Sequence, residues 1–268
     1  MSVKTRSGGI VVTMMSAMVF LPAVAQEQPA EPEGQPVALD AESPPASQSW
    51  LNGWTGSVAL GFNGAEGNTE RFAFRAVANA RRTVEAHDTT FSLLYAYAQD
   101  NGNDSESRFE ANARNDWLFK DSRWRIFAIG RYEFDNFQDW DHRISFFAGP
   151  AYEFIKNDTT FLLGRVGAGV TREFGGEDNT WTPEGLIGAD FEHAFTERQK
   201  LTATAEFFPA LDDFDDYRFE IRAAYEIVVD PSNGLTLRLG AENRYDSTPG
   251  SGFKRNDISY FALLAWNF

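Results

Sequence analysis

From Trp54 to the last residue, apolar and polar side chains alternate one by one. In "YRFEIRAAYEIVV" one face carries Tyr217, Phe219, Ile221, Ala223, Tyr225, Ile227 and Val229, and the other carries Arg218, Glu220, Arg222 and Glu226. "LTLRLGAENRY" sets Leu235, Leu237, Leu239, Ala241 and Tyr245 against Thr236, Arg238, Glu242 and Arg244. A period of two is the signature of strands with one apolar face. The pattern, broken by Gly, Asn, Asp and Pro, predicts twelve strands, near 54–63, 70–82, 89–99, 107–119, 124–135, 141–155, 159–174, 181–195, 200–208, 217–229, 235–245 and 257–268. Every connection is short enough for an antiparallel hairpin. The connections alternate between short ones (83–88, 120–123, 156–158, 196–199, 230–234) and generally longer ones (64–69, 100–106, 136–140, 175–180, 209–216, 246–256).

Alternation does not say which face points outward, because a soluble barrel shows the same period with its apolar face inside. Charge decides it. Arg75, Arg114, Arg131, Arg222 and Arg238 lie well inside their strands on the polar face. An arginine on a lipid-facing wall costs roughly 2–4 kcal/mol at the bilayer midplane, so the polar face must be the lumen. The strands are long enough to span a bilayer at a tilt, which takes about 9–11 residues. Aromatics such as Trp54, Trp117, Trp124 and Trp266 gather at one end of the apolar face, and Phe62, Phe72, Tyr132 and Trp181 at the other. Two aromatic girdles match two membrane interfaces. The expected fold is therefore all-β: a transmembrane up-and-down antiparallel β-barrel of about twelve strands, closed so that no backbone group faces lipid unpaired.

The N-terminus carries an address. Lys4 and Arg6 precede an apolar run that ends in Ala23-Val24-Ala25, the pattern of a cleaved secretory signal. Residues 1–25 are expected to be that signal. Residues 26–50, with Pro29, Pro32, Pro36, Pro44 and Pro45, are expected to be a disordered Pro/Glu-rich periplasmic linker, and residues 51–268 the barrel. Export by this route with a barrel of this kind implies the outer membrane of a Gram-negative bacterium. The short connections then face the periplasm and the longer ones the outside. The formal net charge is −15, which argues against nucleic acid as a partner. Cysteine is absent, so disulfides and thiolate metal sites are excluded.

Two stretches carry a resemblance. "WTGSVALGFNGAEGNTERFAFRAVANARRT", with its "GSVALGF" strand, "GNTE" loop and arginine-spotted second strand, resembles the start of a family of uncharacterised, salt-induced outer membrane proteins. "RYEFDNFQDWDHRISFFAGPAYEF" is similar to that family's middle section. The resemblance runs from Trp54 to Phe268. It implies a twelve-stranded outer-membrane barrel and no settled activity. The closing "ISYFALLAWNF" also resembles the C-terminal strand of outer-membrane barrels. That implies an assembly signal at Tyr260, Trp266 and Phe268, read by the barrel-assembly machinery.

Chemistry beyond this is sparse. The histidines are His87, His142 and His193. An outer-wall lipid hydrolase would need His142 beside a serine, but alternation sends His142 outward and Ser145 inward. No enzyme activity, cofactor or metal site is expected. The acidic loops, as in "ALDDFDD", suit outer-membrane lipids and lipopolysaccharide bridged by divalent cations. The lumen is the informative surface. Strands two to seven send in Arg71, Arg75, Arg81, Arg108, Arg114, Arg125, Arg131, Arg143 and Arg165 against fewer acids. Strands eight to ten send in Glu184, Asp190, Glu192, Glu206, Glu220 and Glu226 against Arg218 and Arg222. Of these, Arg71, Arg75, Arg114, Arg131, Arg143, Arg165, Glu184, Asp190, Glu206 and Glu220 are the candidates for setting selectivity. A basic wall facing an acidic one supports a narrow passive channel for small polar solutes or ions, or a non-conducting envelope barrel whose charges pair across the bore. Charge lists leave these two open. No outer connection is long enough for a porin eyelet, so side chains are expected to form any constriction.

Overall fold

The computed structural model describes residues 53–67, 70–176 and 179–268. The expected signal and linker lie outside the described residues, as do Asn68, Thr69, Glu177 and Asp178. The twelve strands are β1 (Thr55–Ala65), β2 (Arg71–Val84), β3 (His87–Asp100), β4 (Asn103–Leu118), β5 (Trp124–Asp135), β6 (His142–Lys156), β7 (Thr160–Phe174), β8 (Trp181–Thr196), β9 (Gln199–Pro209), β10 (Tyr217–Asp230), β11 (Leu235–Asp246) and β12 (Asn256–Asn267). Each pairs antiparallel with its sequence neighbours, and β1 pairs with β12 to close the barrel. The end bearing Thr55 and Asn267 is called here the terminal end; the opposite end is the loop end.

The apolar face points out. Val58, Leu60, Phe62, Ile126, Phe146 and Trp266 are all exposed on the wall, while Arg108, Arg125, Arg131, Arg143, Arg165 and Arg218 are buried inside. Such a surface is stable only against lipid, and closure satisfies the strand backbones there. The chain is a transmembrane barrel.

Closure at the seam is short. The β1–β12 ladder runs from Ser57↔Asn267 to Leu60↔Leu264. The β1–β2 ladder, by contrast, runs from Thr55↔Arg81 to Ala65↔Arg71. Gly56 and Phe268 extend the seam by exchanging backbone hydrogen bonds of 2.8 and 2.9 Å.

Two connections differ from expectation. The longer loop expected at 100–106 is a two-residue hairpin: Asn101 (φ 49°) and Gly102 (φ 78°) both adopt the left-handed conformation. That is the combination a primed two-residue turn demands, and it lets β3 and β4 pair to their tips. The second difference is at the loop end, where a short connection does fold over the bore. In the segment between β5 and β6, Trp140 is 3% exposed. Gln138 donates to Asp257 of β12 at 3.2 Å. A Cβ added at Gly250, in the β11–β12 loop, would lie 2.4 Å from the Cβ of Asp139. β5–β6 and β11–β12 are diametrically opposed in a twelve-strand ring, so six residues suffice to reach the far wall. Length alone was the wrong criterion in a barrel this narrow.

The lumen also holds an apolar core. Phe127, Ile129, Phe147, Ala151, Leu163, Leu186 and Phe208 form one buried cluster on the wall from β5 to β9. Ala59, Leu263 and Ala265 form a second at the seam, with Val77 and Phe261 against it.

Candidate functional site

Inside the loop half of the barrel, inward strand positions converge on Glu242 of β11. Its Oε1 accepts from Arg108 Nη1 and from Arg222 Nε, each at 3.0 Å. Its Oε2 accepts from Arg108 Nη2 at 2.8 Å and from Arg75 Nη2 at 2.5 Å. The three arginines come from β4, β10 and β2, so one carboxylate ties four strands together across the bore. Glu110 stands beside it, 3.1 Å from Arg108 and 2.6 Å from Arg222. A carboxylate offers about four acceptor positions, and Glu242 has all of them filled by charged donors.

A second layer continues around the bore. Arg131 donates to Glu206 at 2.5 Å and to Glu220 at 3.3 Å. Arg165 donates to Asp190 at 2.5 Å and to Glu206 at 2.9 Å. Arg218 donates to Glu184 at 2.7 Å, and Glu184 also accepts from Thr171 Oγ1 at 2.5 Å. Arg131 and Arg218 both lie over the Phe208 ring, 5.2 and 5.0 Å from its centroid. The apolar cluster therefore serves as the floor on which the guanidiniums stack. Above them Arg143 pairs with Glu173 and stacks on Trp140 at 4.1 Å, and Arg244 of β11 reaches Asp135 of β5 at 3.0 Å. Ion pairs, Phe208 and the Trp140 loop together fill the loop half.

Nine of the ten sequence candidates join this arrangement: Arg75, Arg114, Arg131, Arg143, Arg165, Glu184, Asp190, Glu206 and Glu220. Arg114 lies toward the terminal end, 2.8 Å from Asp190 and 2.9 Å from Asp116. Arg71 does not join. As the first residue of β2 it stands at the loop-end rim, in an exposed pair with Asp100 at 3.4 Å. The hub itself, Glu242 with Arg108 and Arg222, was absent from the candidate set. Parity did place all three inward, but nothing in the chain says that β11, β4, β10 and β2 meet at one height.

Below the network the lumen is open space. A cavity of about 940 Å³ extends from Arg75, Glu110 and Arg222 down to Thr55, Gly234 and Phe268 at the terminal end. Arg81, Lys200 and Glu192 line it with side chains 47%, 42% and 43% exposed, so it opens there to solvent. On the loop side of the network a small cavity of about 30 Å³ lies between Glu133, Trp140, Arg143 and Arg218.

The remaining candidates are dispersed. On the outer wall Nδ1 of His142 lies 2.9 Å from Tyr132 Oη. Ser145 Oγ lies 2.9 Å from Thr171 Oγ1 inside, where its hydroxyl donates because the Thr171 proton goes to Glu184. The two lie on opposite faces and share no reacting space. His193 meets Thr160 Oγ1 at 2.9 Å, and His87 meets Asn115 at 3.4 Å. Among the described residues no cluster of three or more acid or imidazole groups is arranged to hold a metal. Tyr260 is 81% exposed and Trp266 55%, both on the outer wall. Phe268 packs on Trp266 at 5.6 Å at the edge of the terminal mouth.

The family described as "Protein of unknown function, DUF481" matches residues 58–268. Among solved structures the barrel is similar to the NanC porin, at 8% identity over 79% of this chain and 98% of that one, TM-score 0.47. It is similar to the KdgM porin at 9% identity over 80% and 99%, TM-score 0.43. It is also similar to the translocator domain of the autotransporter NalP from Neisseria meningitidis, at 12% identity over 80% and 86%, TM-score 0.41. No curated protein matches the chain.

Proposed function

The chain belongs to the DUF481 family, and from the lumen of this member we propose an outer-membrane barrel that is closed at rest. A polar network seals its loop half, and a vestibule opens to the periplasm. The observation that carries this is Glu242, 2% exposed at the centre of the bore and clamped by arginines of three other strands. An ion crossing the barrel has to separate these pairs, and unpairing a buried charge costs about 3–5 kcal/mol. Planar-bilayer recording of the refolded barrel tests it. Electrical silence is expected, and steady single-channel steps in the wild-type protein would overturn it.

The second reading is a narrow passive channel for small polar solutes or ions, with the lumen arginines and carboxylates setting selectivity. It is favoured by the depth of the vestibule, which leaves only the network layer and the Trp140 loop between it and the loop end. In that reading the network is a gate and conductance appears under some salt or voltage condition. An outer-wall lipid hydrolase is disfavoured by the separation of His142 from Ser145.

The setting follows the same reading. The signal segment delivers the chain to the periplasm, and the assembly machinery engages β12 through Tyr260, Trp266 and Phe268. The acidic loops around Asp212 and Asp215 meet lipopolysaccharide through divalent cations. Induction by salt, implied by the resemblance, is tested by transcript level after an osmotic shift.

A further inference from the structure

One cation stands on the lipid-facing wall, where the alternation of the strands calls for none. Near the loop ends the outward positions carry rings, as at Phe62, Phe72, Tyr97, Tyr217 and Tyr245. Arg172 breaks that pattern. It lies two residues short of the end of β7, in register with Ile144 of β6 and Trp181 of β8. Its neighbours Thr171 and Glu173 point inward, to Glu184 and Arg143, so Arg172 points out. An arginine facing lipid costs least at the membrane interface, and the girdle of rings marks that level.

The arginines of the lumen pair with carboxylates. Arg172 has rings instead. Its guanidinium carbon lies 4.8 Å from the Phe174 ring centroid and 5.9 Å from that of Trp181. Among the described residues no carboxylate lies within 4 Å of it. His142, opposite Phe174 in the β6–β7 register, is one diagonal step away. Its ring stacks on Tyr132 at 6.0 Å and packs against Phe134 at 5.3 Å, with Nδ1 held 2.9 Å from Tyr132 Oη. Among the described strands the other outward arginine is Arg82, near the terminal end of β2.

Ring faces hold a guanidinium in place but do not neutralise it. Headgroup phosphates are the anions that a membrane fixes at this level. A guanidinium offers a phosphate two parallel N–H donors. We infer that Arg172 and its rings form a site for the phosphate of a glycolipid in the loop-end leaflet. Arg172 pairs with the phosphate, and His142, Phe174 and Trp181 flank it. The site is separate from the lumen and from the acidic loops that bind through divalent cations. Its ligand is a glycolipid on the reading that the loop end faces outward, where lipopolysaccharide lies.

The test is native mass spectrometry of the full chain, refolded in neutral detergent with EDTA so that cation bridges to the acidic loops contribute nothing. The probes are diphosphoryl lipid A and the same lipid stripped of its phosphates. Retention of lipid A is expected, with the phosphate-free form held at least tenfold more weakly. Arg172→Gln should abolish that preference. Arg172→Lys, which keeps the charge and loses the fork, should keep part of it and supplies the readout if the glutamine variant does not fold. Arg82→Gln should leave it unchanged. Equal retention of the phosphate-free lipid, an undiminished preference in folded Arg172→Gln, or displacement of lipid A by millimolar inorganic phosphate, the mark of a free-anion site, overturns the proposal. Which end faces outward is read separately, from labelling of Lys254, on an exposed loop at the loop end, in intact cells.

Discussion

Replacing Glu242 by glutamine is the sharpest perturbation of the closed lumen. The carboxylate accepts four hydrogen bonds from three guanidiniums, at 2.5 to 3.0 Å. The amide keeps the shape but removes the charge. Its single oxygen serves at most two of those donors, and its NH₂ is forced against the N–H groups of the others. Removing one partner from a buried ion pair costs about 3–5 kcal/mol. At about 1.4 kcal/mol per factor of ten, that raises the population of a separated network by roughly 10² to 10³·⁵. Glu110, which lies near Arg108 and Arg222 but is not bonded to Arg75, remains as partial compensation, so the lower half of the range is the expected one. The opened bore then presents three guanidiniums to one carboxylate and should prefer anions. Planar-bilayer recording should show a silent wild type, and Glu242→Gln should give conductance steps whose reversal potential in a salt gradient shifts toward chloride. Glu192→Gln, at the half-exposed mouth, should stay silent. If Glu242→Gln is also silent and unfolds at the wild-type urea concentration, the network neither closes nor stabilises the barrel and the reasoning fails.

The lumen core should behave as a packed interior. Phe208→Ala removes a ring 1% exposed, packed at a tilt against Phe147 at 5.3 Å and under two guanidiniums. It should cost about 3–5 kcal/mol, read as a lower urea midpoint of the heat-modifiable gel band. Gly167→Val should be worse tolerated than a valine on the outer wall. A Cβ there would sit 2.6 Å from the Ala148 carbonyl oxygen and 2.8 Å from the Phe127 ring, and a normal refolding yield would contradict this packing. Ala59→Cys with Ala265→Cys places two thiols at a register pair of the seam in a chain with no cysteine. Oxidation should give an intramolecular cross-link in folded protein only, and a cross-link equally formed in urea would count against this closure. Deleting Phe268 removes both backbone bonds to Gly56 and should reduce membrane assembly in cells more than refolding in detergent.

The fold was legible because its physics is local. Alternation in each strand, together with arginines that no lipid face tolerates, fixes strand number, order and facing without reference to any distant residue. Ser145 and His142 were separable for the same reason. The Asn101-Gly102 turn was legible in principle, since the pair is a hairpin signal, but acidic polar flanks disguised strand tips as loop. The site was only half legible. Parity sorts side chains into lumen and wall but carries no height and no partner across the bore. Phe127, Leu163 and Phe208 sit at inward positions of separate strands, and only the closed barrel brings them into one interior cluster. Glu242 read as one acid among several, and Arg71 as equal to Arg75.

The sequence by itself determined a barrel with a charged inside, because burial of charge and exposure of aliphatic groups to lipid depend on which face a residue occupies. Tertiary structure decided that the inside is filled at one end and hollow at the other. That depends on the tilt and stagger of twelve strands, which bring Arg75, Arg108, Arg222 and Glu242 to one level while leaving the space below them open. It also depends on the bore being narrow enough for a six-residue connection to set Trp140 over it. Those are distances between residues on different strands, up to 167 positions apart for Arg75 and Glu242, and no local period encodes them.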